Sequence, residues 1–345
     1  MKVLITGGCG VLGNNLIRYL LKRNIDDIIV LDIAEFNYPE KEKVIFYKGD
    51  IRNENIVSSL MKEVQVVVHA AAALPLYPKK EICSTNVDGT ENLLHFAYKN
   101  KVGRFIYISS TAVYGLFDSF PFSEESKLSG VGHYGKTKII AEGLCRDYRK
   151  KGMCVSILRP KSFIGPGRLG VFALLYEWAK DAKNFPMIGN GNNRYQLLDI
   201  EDLCEAIFLC ISSSNAIVNH TFNIAAKDFT TVREDFQAVL DEAGYNKKML
   251  PFPVLPSIMI LRAMEVLGIS PLYRWIYQTF YKDSIVSIKK AEQKLGFSPR
   301  YSNKNSLLRN FRWYLENIDS LQGRKGISHN LPWEQGILKL VKRFF

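Results

Sequence analysis

A tyrosine and a lysine four residues apart, Tyr134 and Lys138, are the side chains in this sequence best suited to acid–base chemistry. On a helix, positions i and i+4 lie on one face, one above the other. An ammonium beside a phenol favours the phenolate, so Lys138 is expected to lower the pKa of Tyr134 from about 10 toward neutral. Such a tyrosine can act as a general base. Pairs of this kind also occur on solvated helix surfaces, so the interpretation depends on the surrounding sequence.

A glycine-rich turn opens the chain. Residues 3–5 predict a strand, Gly7, Gly10 and Gly13 follow three residues apart, and an amphipathic helix is predicted from about residue 14 to residue 23. Glycine suits this place because the strand must turn sharply, a pyrophosphate must approach the backbone, and the helix must pack closely on the strand. The helix N-terminus then offers free N–H groups to the phosphates.

Asp32 ends the second predicted strand, 19 residues after Gly13. At that place a carboxylate accepts hydrogen bonds from the ribose hydroxyls of a dinucleotide and repels a 2′-phosphate. No basic residue follows immediately. The sequence therefore favours NAD over NADP, and the alternative is an ordinary surface aspartate at a strand end.

Strands alternate with helices over the first 160 residues. Further strands are predicted over residues 44–47, 66–72, 104–108 and 155–159. This alternation predicts an α/β fold with a doubly wound parallel sheet of the Rossmann kind. Ligands on such sheets bind at the carboxyl ends of the strands, where the glycine turn and Asp32 lie.

Changes in the predicted secondary structure along the chain divide it into three regions. Residues 1–160, with 197–225 returning to the sheet, are predicted to form the dinucleotide-binding domain. Residues 161–196 and 226–321 are predicted to form a smaller, mostly helical substrate domain. Residues 322–345 form a basic amphipathic tail.

The tail allows two interpretations. From Trp333 a short helix would place apolar side chains on one face and bases on the other, at Ile337, Leu340, Val341 and Phe344 against Lys339, Lys342 and Arg343. That pattern is typical of a helix on an anionic membrane surface, which would put the protein on the inner face of the membrane. The alternative is a terminal helix docked on its own domain or on a dimer partner.

The net charge and the cysteine content limit the kinds of partner that we expect. The net charge of +12 indicates an anionic partner such as a nucleotide, an acidic lipid or a nucleic acid. The bases are not interleaved with aromatic residues in one patch, so we expect no nucleic-acid binding. Six scattered cysteines without a Cys-x-x-Cys pair predict reduced thiols in a cytoplasmic protein, and we expect no metal site. No signal peptide and no spanning helix are expected.

These motifs together resemble the extended short-chain dehydrogenase/reductase superfamily, within it the NAD-dependent epimerase/dehydratase family of the UDP-galactose 4-epimerase-like kind. The resemblance covers roughly residues 1–225 and continues more loosely to about 300. Residues 6–13 resemble the family's Thr-Gly-Gly-x-Gly-x-x-Gly turn. Asp32 and Asp50-Ile51 match its ribose and adenine positions, and Asn86 matches the asparagine that braces the active site.

The resemblance implies a mechanism. Ser110, Tyr134 and Lys138 match the family's catalytic trio, with Thr111 as the alternative hydroxyl; the spacing to Tyr114 favours Ser110. Tyr134 would take a proton from a substrate hydroxyl while hydride passes from that carbon to the nicotinamide of NAD. Lys138 would lower the tyrosine pKa and bind the nicotinamide ribose, and Ser110 would bind the oxygen as it becomes a carbonyl.

The resemblance also implies the remaining contacts, and by analogy a homodimer. Cofactor contacts are expected at Gly7, Gly10, Val11, Leu12, Gly13, Asp32, Asp50, Ile51, Ala70, Ala71, Ala72, Asn86, Ser109, Tyr134, Lys138 and Pro160. Substrate contacts are expected at Thr111, Ser162, Arg168 and Arg194.

Two reactions stay open. Thr111 and Ala112 replace the Asp-Glu pair of sugar-nucleotide 4,6-dehydratases, which disfavours dehydration. If hydride returns to the other face of the ketone, the protein is an NAD-dependent sugar-nucleotide epimerase, the reaction that the sequence favours. If the ketone leaves, it is a 3β-hydroxysteroid dehydrogenase-like enzyme acting on a lipid alcohol, and residues 160–280 should form an apolar cleft.

The stretch from Arg159 to Ser162 and the position of Arg194 depart from the epimerase pattern. A non-enzymatic NAD sensor would be expected to lack part of the trio.

Overall fold

The computed structural model describes residues 1–115, 120–267, 272, 274–321 and 342. Its strands are β1 (Val3–Thr6), β2 (Ile28–Asp32), β3 (Ile45–Lys48), β4 (Val66–His69), β5 (Arg104–Ile108), β6 (Val155–Pro160), β7 (Phe163–Ile164), β8 (Phe185–Ile188), β9 (Leu198–Asp199), β10 (Thr221–Ile224) and β11 (Met249–Phe252). Seven of them form one sheet in the order β10-β6-β5-β4-β1-β2-β3. All its neighbouring strands are parallel, which confirms the predicted Rossmann sheet.

Helices cover both faces of this sheet. The helices are α1 (Val11–Leu21), α2 (Glu54–Leu60), α3 (Lys79–Cys83), α4 (Gly89–Lys99), α5 (Gly132–Lys150), α6 (Phe172–Lys180), α7 (Ile200–Ser212), α8 (Asn215–Val218), α9 (Val232–Glu242), α10 (Val254–Val266), α11 (Arg274–Thr279) and α12 (Asn303–Leu321). Along β1, Val3 and Ile5 pack toward α1 and α7, whereas Leu4 packs toward α2, α4 and α5. Alternate side chains of a strand point to opposite faces, so an apolar strand buried on both faces produces this three-layer core.

A smaller, mostly helical part packs around its own cluster of apolar side chains. That cluster draws mainly on α6, α9 and α12, with Met187 of β8 and Met249 of β11. β8 and β11 pair in parallel and are short strands that the sequence did not predict, and β7 pairs in parallel with β9 at the start of the returning segment 197–225. β10 leaves it and lies beside β6 in the main sheet.

The predicted tail helix lies outside the described residues except for Lys342. Its side chain is buried, forms an ion pair with Asp181 at 2.6 Å, and donates to the carbonyl oxygen of Glu177 at 3.2 Å. Lys342 therefore contacts the end of α6, as in the docked alternative of the sequence analysis. Among the helices that the structure describes, none combines the length and apolar character needed to cross a bilayer.

Candidate active site

The glycine turn between β1 and α1 leaves no room for side chains. A Cβ at Gly13 would lie 2.3 Å from the carbonyl oxygen of Gly7, and a Cβ at Gly7 would lie 2.7 Å from the backbone nitrogen of Ala71. Gly7 also has a φ of +74°, which favours glycine. α1 begins at Val11, three residues earlier than predicted, and no side chain caps its N-terminus. The first N–H groups of α1 are therefore uncapped, and no side chain covers the backbone of the turn. This arrangement fits the binding of a pyrophosphate.

Asp32 is held beside this turn. One of its carboxylate oxygens accepts a hydrogen bond from the backbone N–H of Cys9 at 2.8 Å, and the other accepts from that of Ala34 at 2.9 Å. The contacts fix a carboxylate at the end of β2, at the place where a ribose would be bound. Asp50 follows β3 and is paired with Arg52, whose hydrogen bonds hold the pKa of Asp50 below its usual value.

A cleft of about 1300 Å³ runs from the glycine turn along the strand ends into the smaller part. A pocket for one small molecule usually has about 300–1,000 Å³, so the cleft has room for a dinucleotide and a second ligand. Every predicted cofactor residue except Asn86 lines it, and so do Thr111, Ser162 and Arg168. The turn, Asp32 and the cleft together fit the cofactor that the sequence predicts.

Two predicted contacts lie away from the lining. Asn86 is buried, accepts from the backbone N–H of Ala73 at 2.8 Å and donates to its carbonyl oxygen at 3.1 Å, so it braces the loop after β4. Its amide also donates to the hydroxyl of Thr137 on α5 at 3.3 Å. Arg194 lies outside the cleft, is more than half exposed, and pairs with Asp283 at 3.5 Å. The structure thus gives Asn86 a bracing position and keeps Arg194 away from the other substrate candidates.

The predicted trio meets at the centre of the cleft. Ser110 lies two residues after the end of β5, and its hydroxyl is near enough to the phenol of Tyr134, close to the start of α5, to lower the pKa of that phenol. Lys138 lies one turn further along α5 and is buried. Its ammonium donates to the carbonyl oxygen of Ile108 at 2.9 Å and lies 5.8 Å from the centre of the Tyr134 ring.

The prediction that Lys138 lowers the pKa of Tyr134 is wrong for this arrangement. Burial raises the pKa of Tyr134 to about 12, against the opposing effects of the Ser110 hydroxyl and the Arg168 charge. Burial also lowers the pKa of Lys138 to about 8. The ammonium is directed at Ile108 and lies closer to the ring of Tyr107, at 4.8 Å, than to that of Tyr134. Burial of the phenol therefore decides the direction in which the pKa of Tyr134 moves.

A buried ion pair beneath the trio was not predicted. Glu142, one turn beyond Lys138 on α5, is fully buried and binds Arg159 of β6 through two hydrogen bonds of 2.8 and 2.6 Å. Ser109 donates to the same carboxylate at 2.6 Å, and Arg159 also donates to the hydroxyl of Tyr114 at 2.9 Å. These bonds join α5, β6 and the end of β5. The sequence feature that could have indicated this pair is Glu142 itself, an acid four residues after Lys138 on the same face of α5.

Apolar side chains dominate the cleft wall that the smaller part contributes. They come from α6, β8, α9, β11, α10 and the segment around α11, and include Val171, Phe172, Leu175, Trp178, Phe185, Met187, Phe236, Met249, Ile260, Leu261, Met264 and Phe280. The apolar cleft over residues 160–280 is the feature that the lipid-alcohol alternative predicts. The sequence analysis did not identify these residues, although their aromatic and aliphatic composition was the available signal.

Two cations interrupt this wall. The guanidinium of Arg168 lies 4.8 Å from the centre of the Phe163 ring. Lys161 is buried, donates to the hydroxyl of Ser284 at 2.6 Å, and lies 4.5 Å from the centre of the Tyr195 ring. Burial lowers the pKa of Lys161 to about 7. An anionic group of a substrate could therefore be held at this side of the cleft.

Comparisons with known proteins agree with the fold and the cofactor. The model of the NAD dependent epimerase/dehydratase family matches residues 3–225. The uncharacterized protein y4nG of Sinorhizobium fredii is 32% identical over 98% of this chain and 85% of its own length. The crystal structure of DesIV, a dTDP-glucose 4,6-dehydratase of Streptomyces venezuelae with NAD and TYD bound, is 26% identical with a TM-score of 0.76 and covers 93% of this chain and 99% of that chain.

A sterol enzyme is also similar. The decarboxylating sterol-4-alpha-carboxylate 3-dehydrogenase of Mus musculus is 25% identical over 86% of this chain and 86% of its own length. The similar proteins thus include one named for a nucleotide sugar and one named for a sterol, which are the two substrate classes that the sequence analysis left open.

Proposed function

Because the chain belongs to the NAD dependent epimerase/dehydratase family, we propose that it is an NAD-dependent enzyme that oxidises a secondary alcohol on a substrate with a large apolar body. The apolar wall of the cleft carries this proposal. The sequence favours the sugar-nucleotide epimerase, and the wall is the observation that moves the preference to the lipid alcohol.

The two substrate classes differ in the polar groups that would lose water on the apolar wall without gaining a hydrogen-bond partner. Apolar area removed from water stabilises a complex by about 25 cal/mol per Å², and the wall from α6 to α11 offers such area. Sugar hydroxyls that lose water without gaining hydrogen-bond partners cost free energy instead. A steroid or long-chain alcohol therefore matches this side of the cleft better than a hexose does.

The trio would act on the alcohol as follows. NAD supplies the group that takes up hydride from the alcohol carbon, and a positive charge on its nicotinamide when oxidised. Tyr134 accepts the hydroxyl proton, and Ser110, whose hydroxyl lies beside the phenol, holds the oxygen that becomes the carbonyl. Because the pKa of Tyr134 is raised by burial, nearby positive charge is needed to favour its phenolate. Arg168 already acts in that direction, and a further cation beside the phenol would add to it.

Steady-state assays test the proposal directly. The full chain is incubated with NAD and either a 3β-hydroxysteroid, a long-chain secondary alcohol or UDP-glucose, while NADH and organic products are followed. We expect NADH and ketone in equal amounts with an apolar alcohol. Conversion of UDP-glucose to its 4-epimer, with no NADH from either apolar alcohol, would contradict the proposal.

A sugar-nucleotide epimerase is the second candidate, favoured by the two cations in the cleft. Arg168 and the buried Lys161 could hold a diphosphate, as a bidentate and a point charge respectively. Thr111 and Ala112 provide no acid–base pair for dehydration. This candidate predicts that NAD stays bound through the reaction, so NAD would co-purify with the protein and no NADH would accumulate.

A further inference from the structure

Helix α10 has an unusual surface. Of its residues only Ile258 is buried, although its sequence, VLPSIMILRAMEV, is apolar on every side. Leu255, Met259 and Ile260 are 75%, 70% and 60% exposed, and Val266 with the following Leu267 are 86% and 70% exposed. A helix that is apolar all round is normally buried in a core or in lipid.

Three of the exposed side chains form a stripe along the helix, and Ile260 and Leu267 lie beside it. Residues 255, 259 and 266 are separated by four and seven positions, so they fall on one face over three turns, or about 16 Å of helix. Apolar residues scattered singly over a surface need no explanation, whereas a contiguous patch of this kind marks an interaction site. We call residues 255, 259, 260, 266 and 267 the α10 patch.

Charge on the helix indicates which surface it meets. Arg262 is the only base on α10 and is exposed. The only acid, Glu265, is not exposed and accepts a hydrogen bond from the hydroxyl of Tyr277. The patch therefore presents apolar groups with a positive charge and no exposed negative charge, in a chain of net charge +12. Apolar area buried among acyl chains and the attraction of a base to anionic headgroups both strengthen binding at a bilayer surface.

The other side of the same helix faces the active site. Ser257, Ile260, Leu261 and Met264 line the cleft, and Ile260 belongs both to the lining and to the patch. α10 thus separates the apolar wall from the exterior, with apolar side chains on both sides. A bilayer against the patch would lie one helix away from the apolar wall of the cleft.

We propose that the α10 patch docks the protein on the surface of an anionic lipid bilayer, so that α10 lies between the lipid and the apolar wall of the cleft. This surface is distinct from the C-terminal tail that the sequence suggested for membrane contact. Docking does not require the proposed reaction, but the delivery of an apolar alcohol from the bilayer rests on it.

Vesicle sedimentation tests docking without any substrate. The full chain is mixed with vesicles of phosphatidylcholine alone or with phosphatidylglycerol added. We expect it to pellet with the anionic vesicles, and the combined variant Leu255→Glu, Met259→Glu and Val266→Glu to lose at least about tenfold in vesicle affinity. Arg262→Gln should weaken binding to anionic vesicles about fivefold. Ile217→Glu, an exposed isoleucine on α8, is the matched control and should bind as the unaltered chain does.

Three outcomes would overturn the proposal. The unaltered chain could remain in the supernatant, the triple variant could pellet undiminished, or the variant could change from dimer to monomer in sedimentation velocity without affecting vesicle binding. The last result would make the patch a contact between copies of the chain. NAD binding and circular dichroism, measured on every variant, show whether it is folded. Since no step of the assay uses turnover, a failure of docking is distinguishable from a failure of the proposed reaction.

Discussion

The ammonium of Lys138 donates a hydrogen bond to the carbonyl oxygen of Ile108, 2.9 Å away, and so ties α5 to the last residue of β5. Ser109, the next residue in the chain, donates to Glu142 of the same helix at 2.6 Å, and the hydroxyl of Ser110 lies beside Tyr134. Two successive positions at the end of one strand are thus each hydrogen-bonded to one helix, and the third lies beside it. We infer that the lysine positions the serine against the tyrosine, beyond any contact that it makes with the cofactor.

Lys138→Met should leave the Ile108 carbonyl oxygen without its partner and lower turnover by about 10²-fold or more, the range in which positioned acid–base groups contribute. Steady-state kinetics with a 3β-hydroxysteroid and NAD measure the loss. Lys136→Met changes an exposed lysine of the same helix and should leave turnover within about twofold. Equal turnover in both variants would show that the Lys138–Ile108 bond has no part in catalysis.

Glu142→Gln should destabilise the fold by about 3–5 kcal/mol, because it leaves the buried Arg159 without its counter-charge. Urea unfolding followed by circular dichroism measures the change. The control is Arg146→Ala, which removes the exposed partner of the same carboxylate at 3.2 Å and should cost less than about 1 kcal/mol. If the two variants lost similar amounts of stability, the buried pair would not be what joins α5 to β6.

Gly13→Ala should weaken NAD binding by at least about tenfold, or about 1.4 kcal/mol, since its methyl group would lie 2.3 Å from the carbonyl oxygen of Gly7. Isothermal titration calorimetry with NAD measures the affinity. Gly143→Ala places the same methyl group on α5, where nothing lies within 4 Å, and should bind NAD normally while raising stability by about 0.5–1 kcal/mol. Unchanged affinity in the Gly13 variant would remove the turn from the cofactor site.

Lys161 should make stability depend on pH. Its pKa is about 7 in the fold and 10.5 in the reference state, so between these values the unfolded chain carries a proton that the native chain lacks. The free energy of unfolding should therefore rise with pH above about 7, by at most about 1.4 kcal/mol per pH unit. Lys161→Met should lose this rise in urea unfolding at several pH values, whereas Lys136→Met keeps it. The same slope in Lys161→Met as in the unaltered chain would show that the amine is not held neutral.

The features predicted from sequence are those that local chemistry determines. The turn at Gly7 and Gly13 follows from steric demands within a dozen residues, and apolar runs such as that of β1 follow from burial on both faces. α6 was not located because Phe172–Lys180 has only nine residues and lies in a region that prolines and glycines interrupt.

Contacts between residues far apart in the sequence could not be predicted from it. Glu142 and Arg159 lie on different elements, and only the fold brings them together. The pKa of Tyr134 was misjudged in direction because sequence spacing shows the neighbouring cation but not the burial that opposes it. The apolar wall likewise needs α6, β11 and α10 to meet in space.

The most direct test of the account is Tyr134→Phe, which removes the phenol oxygen and keeps the ring. NAD affinity from calorimetry and turnover of a 3β-hydroxysteroid are measured on the same preparation. The account predicts NAD affinity within about twofold of the unaltered chain and turnover lower by about 10²–10⁴-fold. Turnover close to that of the unaltered chain would contradict it, because another group would then be taking the proton.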